Sequence, residues 1–359
     1  MFTFKTFKLA GFLCYLFLIA ILATSCQKKI SQPTTTAATS SRQNTIPSGY
    51  IMTPVGLMPA ANVHTVEAGY AVTMRNGHAL KIRKDTKEQV EDWGEMKPGA
   101  IPASILSRKA VTSGGGGSSS VPSGGSTGAN WVTYSQYSGN GQPIMYFQSN
   151  YTVPTAPQNP GPLFYIWSGI SPSPSSYPLI QPVLQWGSNG VFGGVYWTVA
   201  NWCILDATHA AISPYTPVIF TGTQLQGIVN CYNTDTVNHT YDYTSSYYYN
   251  GGPNNILNIE YNTTYNNFNG GTGTFPTIGA ITNAYEVLEV PFQVTSTTQY
   301  PNQPWIYMTS IILKTGATWE TATAVPNLNW STYANGNLGE WTQIANGDGN
   351  GDGEVNIYF

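Results

Sequence analysis

From residue 131 onward the chain is a succession of short runs rich in Tyr, Trp, Val, Ile and Thr. Clusters of Gly, Pro, Asn and Ser break these runs, and no apolar stripe of useful length recurs at helical spacing. Runs of this kind predict strands, and the breaks predict turns. The predicted strands are Ile144–Val153, Leu163–Ile170, Leu179–Trp186, Val195–Ile204, Val218–Thr223, Ile228–Tyr232, Thr240–Tyr248, Ile256–Tyr261, Ala284–Phe292, Trp305–Leu313 and Glu354–Phe359. So many short strands imply an all-β sandwich or barrel. The composition agrees: 13% of residues are aromatic and only 9% charged, whereas helical soluble proteins carry far more Glu, Lys and Arg.

The N-terminus reads as an export signal. Lys5 and Lys8 precede an apolar run, Leu9 to Ala23, too short for a membrane span. The run ends in Leu-Ala-Thr-Ser-Cys26, the pattern of a bacterial lipoprotein cleavage site, so residues 1–25 are expected to leave and Cys26 to be acylated. The expected location is a bacterial membrane's periplasmic or cell-surface face, with the membrane a partner through the lipid. Residues 26–47 read as a tether and 113–129 as a Gly/Ser linker. Between them, residues 48–112 read as a pro-segment or small N-terminal domain. It carries two short alternating runs, Tyr70–Met74 and Ala79–Arg83, and one or two helical turns over Asp85–Trp93.

Charge divides the chain. Residues 131–359 hold one cation, Lys314, against eleven acids, a net −10; residues 27–130 hold eleven cations against six acids, a net +5. A basic segment joined by a linker to an acidic domain suits a pro-segment that docks electrostatically and is released as carboxylates protonate. An unrelated small domain on a spacer is the alternative. No nucleic-acid partner and no cofactor is expected. Cys203 and Cys231 remain after the signal and lipid cysteines; an oxidising compartment permits them to pair, and two free thiols are the alternative. Asp348, Asn350 and Asp352 open like a calcium loop but lack the acidic twelfth position and the following helix, so a polar turn is the first reading.

No serine elbow, zinc helix, phosphate loop or catalytic Cys–His signature is present. Instead an ordered set of short motifs runs from Asn130-Trp131 through Asn150–Pro154, Tyr165–Ile170, Leu179-Ile180-Gln181, Tyr196–Trp202 and Ile212–Ile219 to Asn283–Glu289. Over about residues 130–315 this set resembles the glutamic peptidases, or eqolisins. The resemblance implies a concanavalin-like, two-sheet antiparallel β-sandwich. It also implies a catalytic pair, Gln181 and Glu289, and substrate contact by Trp167, with Trp186, Trp197 and Trp202 as further candidates.

The implied reaction is acid-acting endopeptidase hydrolysis of polypeptides. Glu289 takes a proton from water, and the neutral Gln181 amide positions that water and donates to the oxyanion. Period-2 alternation separates Glu286 from Glu289 onto opposite faces, so a one-residue slip would exchange them. Supporting carboxylates of the family are neutral here, as Ser171, Gln185 and Asn201, and Pro182 follows Gln181. A catalytically inactive sandwich that binds carbohydrate or peptide is therefore the rival expectation.

Overall fold

In the computed structural model the chain forms two large β-sheets with a shared core. The structure describes residues 46–97, 131–139, 141–159, 161–173, 176–263, 280–292, 294–334, 336, 338–346 and 353–359. The signal peptide, Cys26, the 113–129 linker and the calcium candidates Asp348, Asn350 and Asp352 lie outside them.

The first sheet runs, edge to edge, through Trp330–Ala334, Trp131–Ser138, Asn283–Glu289, Phe164–Ser171, Leu179–Trp186, Trp197–Ile204, Ala210–Ile212 and Val63–Thr65. The second has Ile144–Thr152, Gln224–Asp235, Thr240–Tyr249 and Gly252–Asn262 as its centre. Trp305–Thr315, Gly353–Tyr358 and Trp341–Asn346 extend it on one side. Alternate residues of each strand meet between the sheets, Phe164, Ile166, Ile180 and Leu184 from one side and Phe147, Tyr151, Val229 and Tyr247 from the other. Each large apolar side chain buried this way contributes about 1.5–3 kcal/mol, which fixes the register of both sheets.

The N-terminal segment is built into both sheets. Val63–Thr65 pairs parallel with Ala210–Ile212, and Tyr70–Arg75 pairs parallel with Gly252–Asn262 through Val72 and Ile259. The antiparallel sandwich expected from sequence is thus mixed, and both of these parallel joints bind the segment to the body. The helical turns expected over Asp85–Trp93 are instead a turn and a strand, Gln89–Glu95, on the free edge of His78–Arg83. A ladder there satisfies backbone groups that an isolated one- or two-turn helix would leave unpaired.

Cys203 and Cys231 are buried free thiols, so the pairing permitted by sequence is not formed. Cys203 lies on the first sheet and Cys231 on the second, where its Sγ donates to the Asn233 carbonyl at 3.2 Å. Burial pushes the Cys231 thiol up to about 12, and raises Cys203 as well, so both stay protonated.

Candidate active site

The face of the first sheet that points away from the sheet–sheet core carries the candidate residues. Tyr165, Trp167, Leu179, Val183, Ala200, Trp202, Tyr285 and Val287 form a second apolar cluster there. Alternation places Gln181, Gln185 and Glu289 on the same face. Glu286 points the other way, into the sandwich, where neither carboxyl oxygen has a hydrogen-bond partner among the described residues; burial pushes it up to about 8.

The same alternation puts two of the tryptophans expected as substrate contacts on the other face of the sheet. Trp186 and Trp197 sit opposite each other between the sheets, edge to face at 5.3 Å, as members of the inner core. Trp167 and Trp202 remain on the candidate face.

Cross-strand register decides which side chains are neighbours. Glu289 pairs with Tyr165, and Tyr165 pairs with Gln185. Glu289 and Gln185 are therefore level, two strand spacings or about 10 Å apart at the backbone. Gln181 is one full step of four residues along its strand from Gln185, about 13 Å. It pairs with Trp202, two strands from Tyr285 rather than from Glu289. The structure thus brings Gln185 to the row of Glu289 and leaves Gln181 in the next part of the face. A Cβ on Gly169 would lie 3.0 Å from both Gln181 Cβ and the Trp167 ring, so this position requires glycine.

The loop after Gln185 holds its amide. Gly187 and Gly193 both have positive φ, at 89° and 86°, which lets the backbone turn back. Gln185 Nε2 then donates to the Gly187 carbonyl at 2.8 Å and to the Phe192 carbonyl at 3.3 Å. Its Oε1 makes no hydrogen bond within the protein, nor do both polar atoms of Gln181, Glu289 Oε1 and Trp202 Nε1, all buried. Buried polar atoms usually have partners, so these orphans leave the face with polar groups free to take further contacts.

Glu289 accepts one hydrogen bond, from Trp167 Nε1 at 3.0 Å to Oε2. Full burial pushes its carboxyl well above the usual range, and the Trp167 N–H opposes this only in part. In this covered form burial favours the neutral acid over the carboxylate.

The cover is the N-terminal hairpin Tyr50–Thr53/Gly56–Pro59. Ile51, Met52 and Met58 pack into the second cluster beside Trp167 and Trp202. The Tyr165 hydroxyl donates to the Met52 carbonyl at 2.6 Å, and the Met52 N–H donates to the Asn189 carbonyl at 2.9 Å. Ion pairs hold the rest of the segment. Arg75 meets Glu260 at 2.6 Å, and Lys87 meets Asp242 at 3.0 Å and Glu260 at 3.1 Å. Among the described residues no group of three His, Cys, Asp or Glu is placed to hold a metal ion.

The chain is similar in structure to glutamic peptidases. Scytalido-glutamic peptidase with a peptide-based transition-state analogue matches at 14% identity and TM-score 0.35, over 64% of this chain and 99% of that one. SCP-B, a member of the eqolisin family, in complex with the tripeptide Ala-Ile-His, matches at 14% identity and TM-score 0.33, over 64% and 99%. No family model and no curated protein matches the chain. The chemistry of the site rests on its own residues.

Proposed function

We propose that this chain is a glutamic-type endopeptidase held latent by its own N-terminal segment. The observation that carries the reading is the level placement of Glu289 and Gln185 on one orphan-rich face, beneath the Tyr50–Pro59 hairpin. In the opened enzyme, water reaches Glu289 and its pKa falls toward the ordinary carboxylate range, which restores a base. Glu289 takes a proton from the attacking water as the water oxygen bonds to the amide carbon. Gln185 Oε1 accepts the second water hydrogen, and its N–H turns from the Gly187 carbonyl to the developing oxyanion. Glu289 then returns the proton to the departing nitrogen as the C–N bond breaks, leaving an acid and an amine. Gln181, expected from sequence as the partner of Glu289, lines the adjoining part of the groove with Trp202.

Acid opens the enzyme in this reading. The cations Arg75 and Lys87 of the segment face Glu260 of the body, and protonating Glu260 removes that attraction. Acylation at Cys26 would keep the protein at an extracytoplasmic membrane face, with exported polypeptides as substrates.

One observation favours a second reading, a face that binds peptide or glycan without cutting: Tyr165 stands between Glu289 and Gln185 in register, on the same face. Cleavage of an unfolded protein by the chain from residue 27, across pH 3 to 7, separates the two. Activity at acid pH that disappears in Glu289→Gln supports the peptidase. No cleavage after the linker has been cut and the segment removed supports the binding face.

A further inference from the structure

One end of the sandwich carries a cavity that the peptidase reading does not use. A cavity of about 340 Å³ is lined by residues with amides and hydroxyls, among them Gln158, Thr298, Asn302 and Gln303, together with Tyr300 and Phe359. No lining side chain is charged. The Tyr300 and Phe359 rings stack at 5.4 Å and 21°. Gln158 Nε2 donates to Asn302 Oδ1 at 2.7 Å, and Gln303 Nε2 donates to the Trp305 carbonyl at 2.8 Å, so the amides are held in place.

The cavity borders an aromatic row. Pro304 and Phe359 line it, and the next residues along their strands, Trp305 and Tyr358, are cross-strand partners. Tyr358 in turn pairs with Trp341 on the edge strand, the two rings stacked at 4.0 Å and 5°. Trp305 meets Tyr358 and Tyr307 at 5.6 Å each. Trp341 and Tyr307 are 42% and 48% exposed, large values for aromatic residues on a strand. One step along, Asn356 lies between Gln343 and Tyr307 in register. Asn356 is 94% buried, and its Oδ1 has no partner in the protein.

We infer that this end of the sandwich is a binding site for neutral oligosaccharide. Sugar rings offer apolar C–H faces that stack on aromatic rings, and hydroxyls that pair with amides and threonine. A cavity of this size is at the small end of ligand pockets, which run from about 300 to 1,000 Å³. It takes one end of the chain, and further sugar units lie over Trp305, Tyr307 and Trp341. The site has no cation with which to hold a phosphate or a carboxylate, which separates it from an anion site.

The test is calorimetric titration of the full exported chain, in the Glu289→Gln form, with cellohexaose, maltohexaose and chitohexaose in turn. Using that form makes the outcome independent of any cleavage. At least one oligosaccharide is expected to bind at millimolar concentration or below. Trp341→Ala with Tyr307→Ala is expected to weaken it about tenfold, since two stacking contacts of roughly 0.5–1.5 kcal/mol each are lost. Asn302→Ala weakens it too, and Trp319→Ala, an exposed tryptophan outside the row, leaves it unchanged. Failure of all three sugars to bind overturns the inference. So does binding that survives the double substitution in a protein of unchanged melting temperature.

Discussion

The hydroxyl of Tyr165 donates to the main-chain carbonyl of Met52 at 2.6 Å, which ties the row holding Glu289 and Gln185 to the hairpin that covers it. Covering and chemistry are coupled through this contact. The burial that places Glu289 beneath the hairpin also raises its pKa and so favours the protonated carboxyl.

Register puts Gln185, rather than Gln181, level with Glu289. With the segment removed, Glu289→Gln is expected to abolish cleavage at acid pH. Gln185→Ala should lower kcat by about 10²–10³, the usual cost of losing one oxyanion donor. Gln181→Ala should act mainly on KM. Steady-state kinetics on the three variants check this, and a larger kcat loss for Gln181 than for Gln185 would reverse the assignment.

Docking of the segment weakens in acid. Arg75 and Lys87 hold the Glu260 carboxyl below its ordinary range, against the opposing effect of burial. A carboxyl depressed in the docked state binds fewer protons there. Its contribution is present above the ordinary carboxylate range and is lost as pH falls through the docked value. If the linker is cut, the 46–112 fragment should separate from the body below about pH 4.5. Arg75→Ala should move separation to higher pH. Size-exclusion chromatography of the cut protein across pH reads both.

The other parallel joint carries His64, on the strand that pairs with Ala210–Ile212. Its ring stacks on Trp93 at 4.2 Å, and burial, with His209 and Lys81 nearby, lowers its pKa against the pull of Glu91. Since the docked form binds fewer protons, docking weakens as pH drops from about 6.5. His64→Phe should flatten that upper part of the profile and leave the carboxylate part. An unchanged profile between pH 7 and 5 would remove His64 from the account.

Glu286 sets a stability trend of opposite sign. It is neutral in the fold up to about pH 8, so the folded state binds the extra proton and stability falls as pH rises from about 4.5. Glu286→Gln should stabilise the protein at pH 7 by about 2–3 kcal/mol and have little effect at pH 4. Thermal melts at the two pH values decide it; equal shifts at both would mean that Glu286 does not titrate in this range.

The two classes of tryptophan should separate by experiment. Trp186→Ala removes a ring from the sheet–sheet core and is expected to cost about 3–5 kcal/mol of stability. Trp202→Ala, in the opened enzyme, should raise KM for peptide more than it lowers the melting temperature of the body. Comparable losses of stability in both would place Trp202 in a purely structural role.

The alternation of residues along each run was enough to determine that the chain is all-β, where most strands lie, and that Glu286 and Glu289 face opposite ways. These are local properties: a strand's period of two is written in consecutive residues. Sequence also separated the basic segment from the acidic body, because charge needs no coordinates. Only the tertiary structure decided which glutamine stands level with Glu289, since the offset between paired strands comes from packing two sheets against one core. The same packing turned Trp186 and Trp197 inward, kept Cys203 and Cys231 apart, and made a strand of the expected helical turns near Trp93. It also laid the Tyr50–Pro59 hairpin over that face. Each of these depends on which distant segment comes to lie against a face, and that is settled by burial summed over the whole molecule.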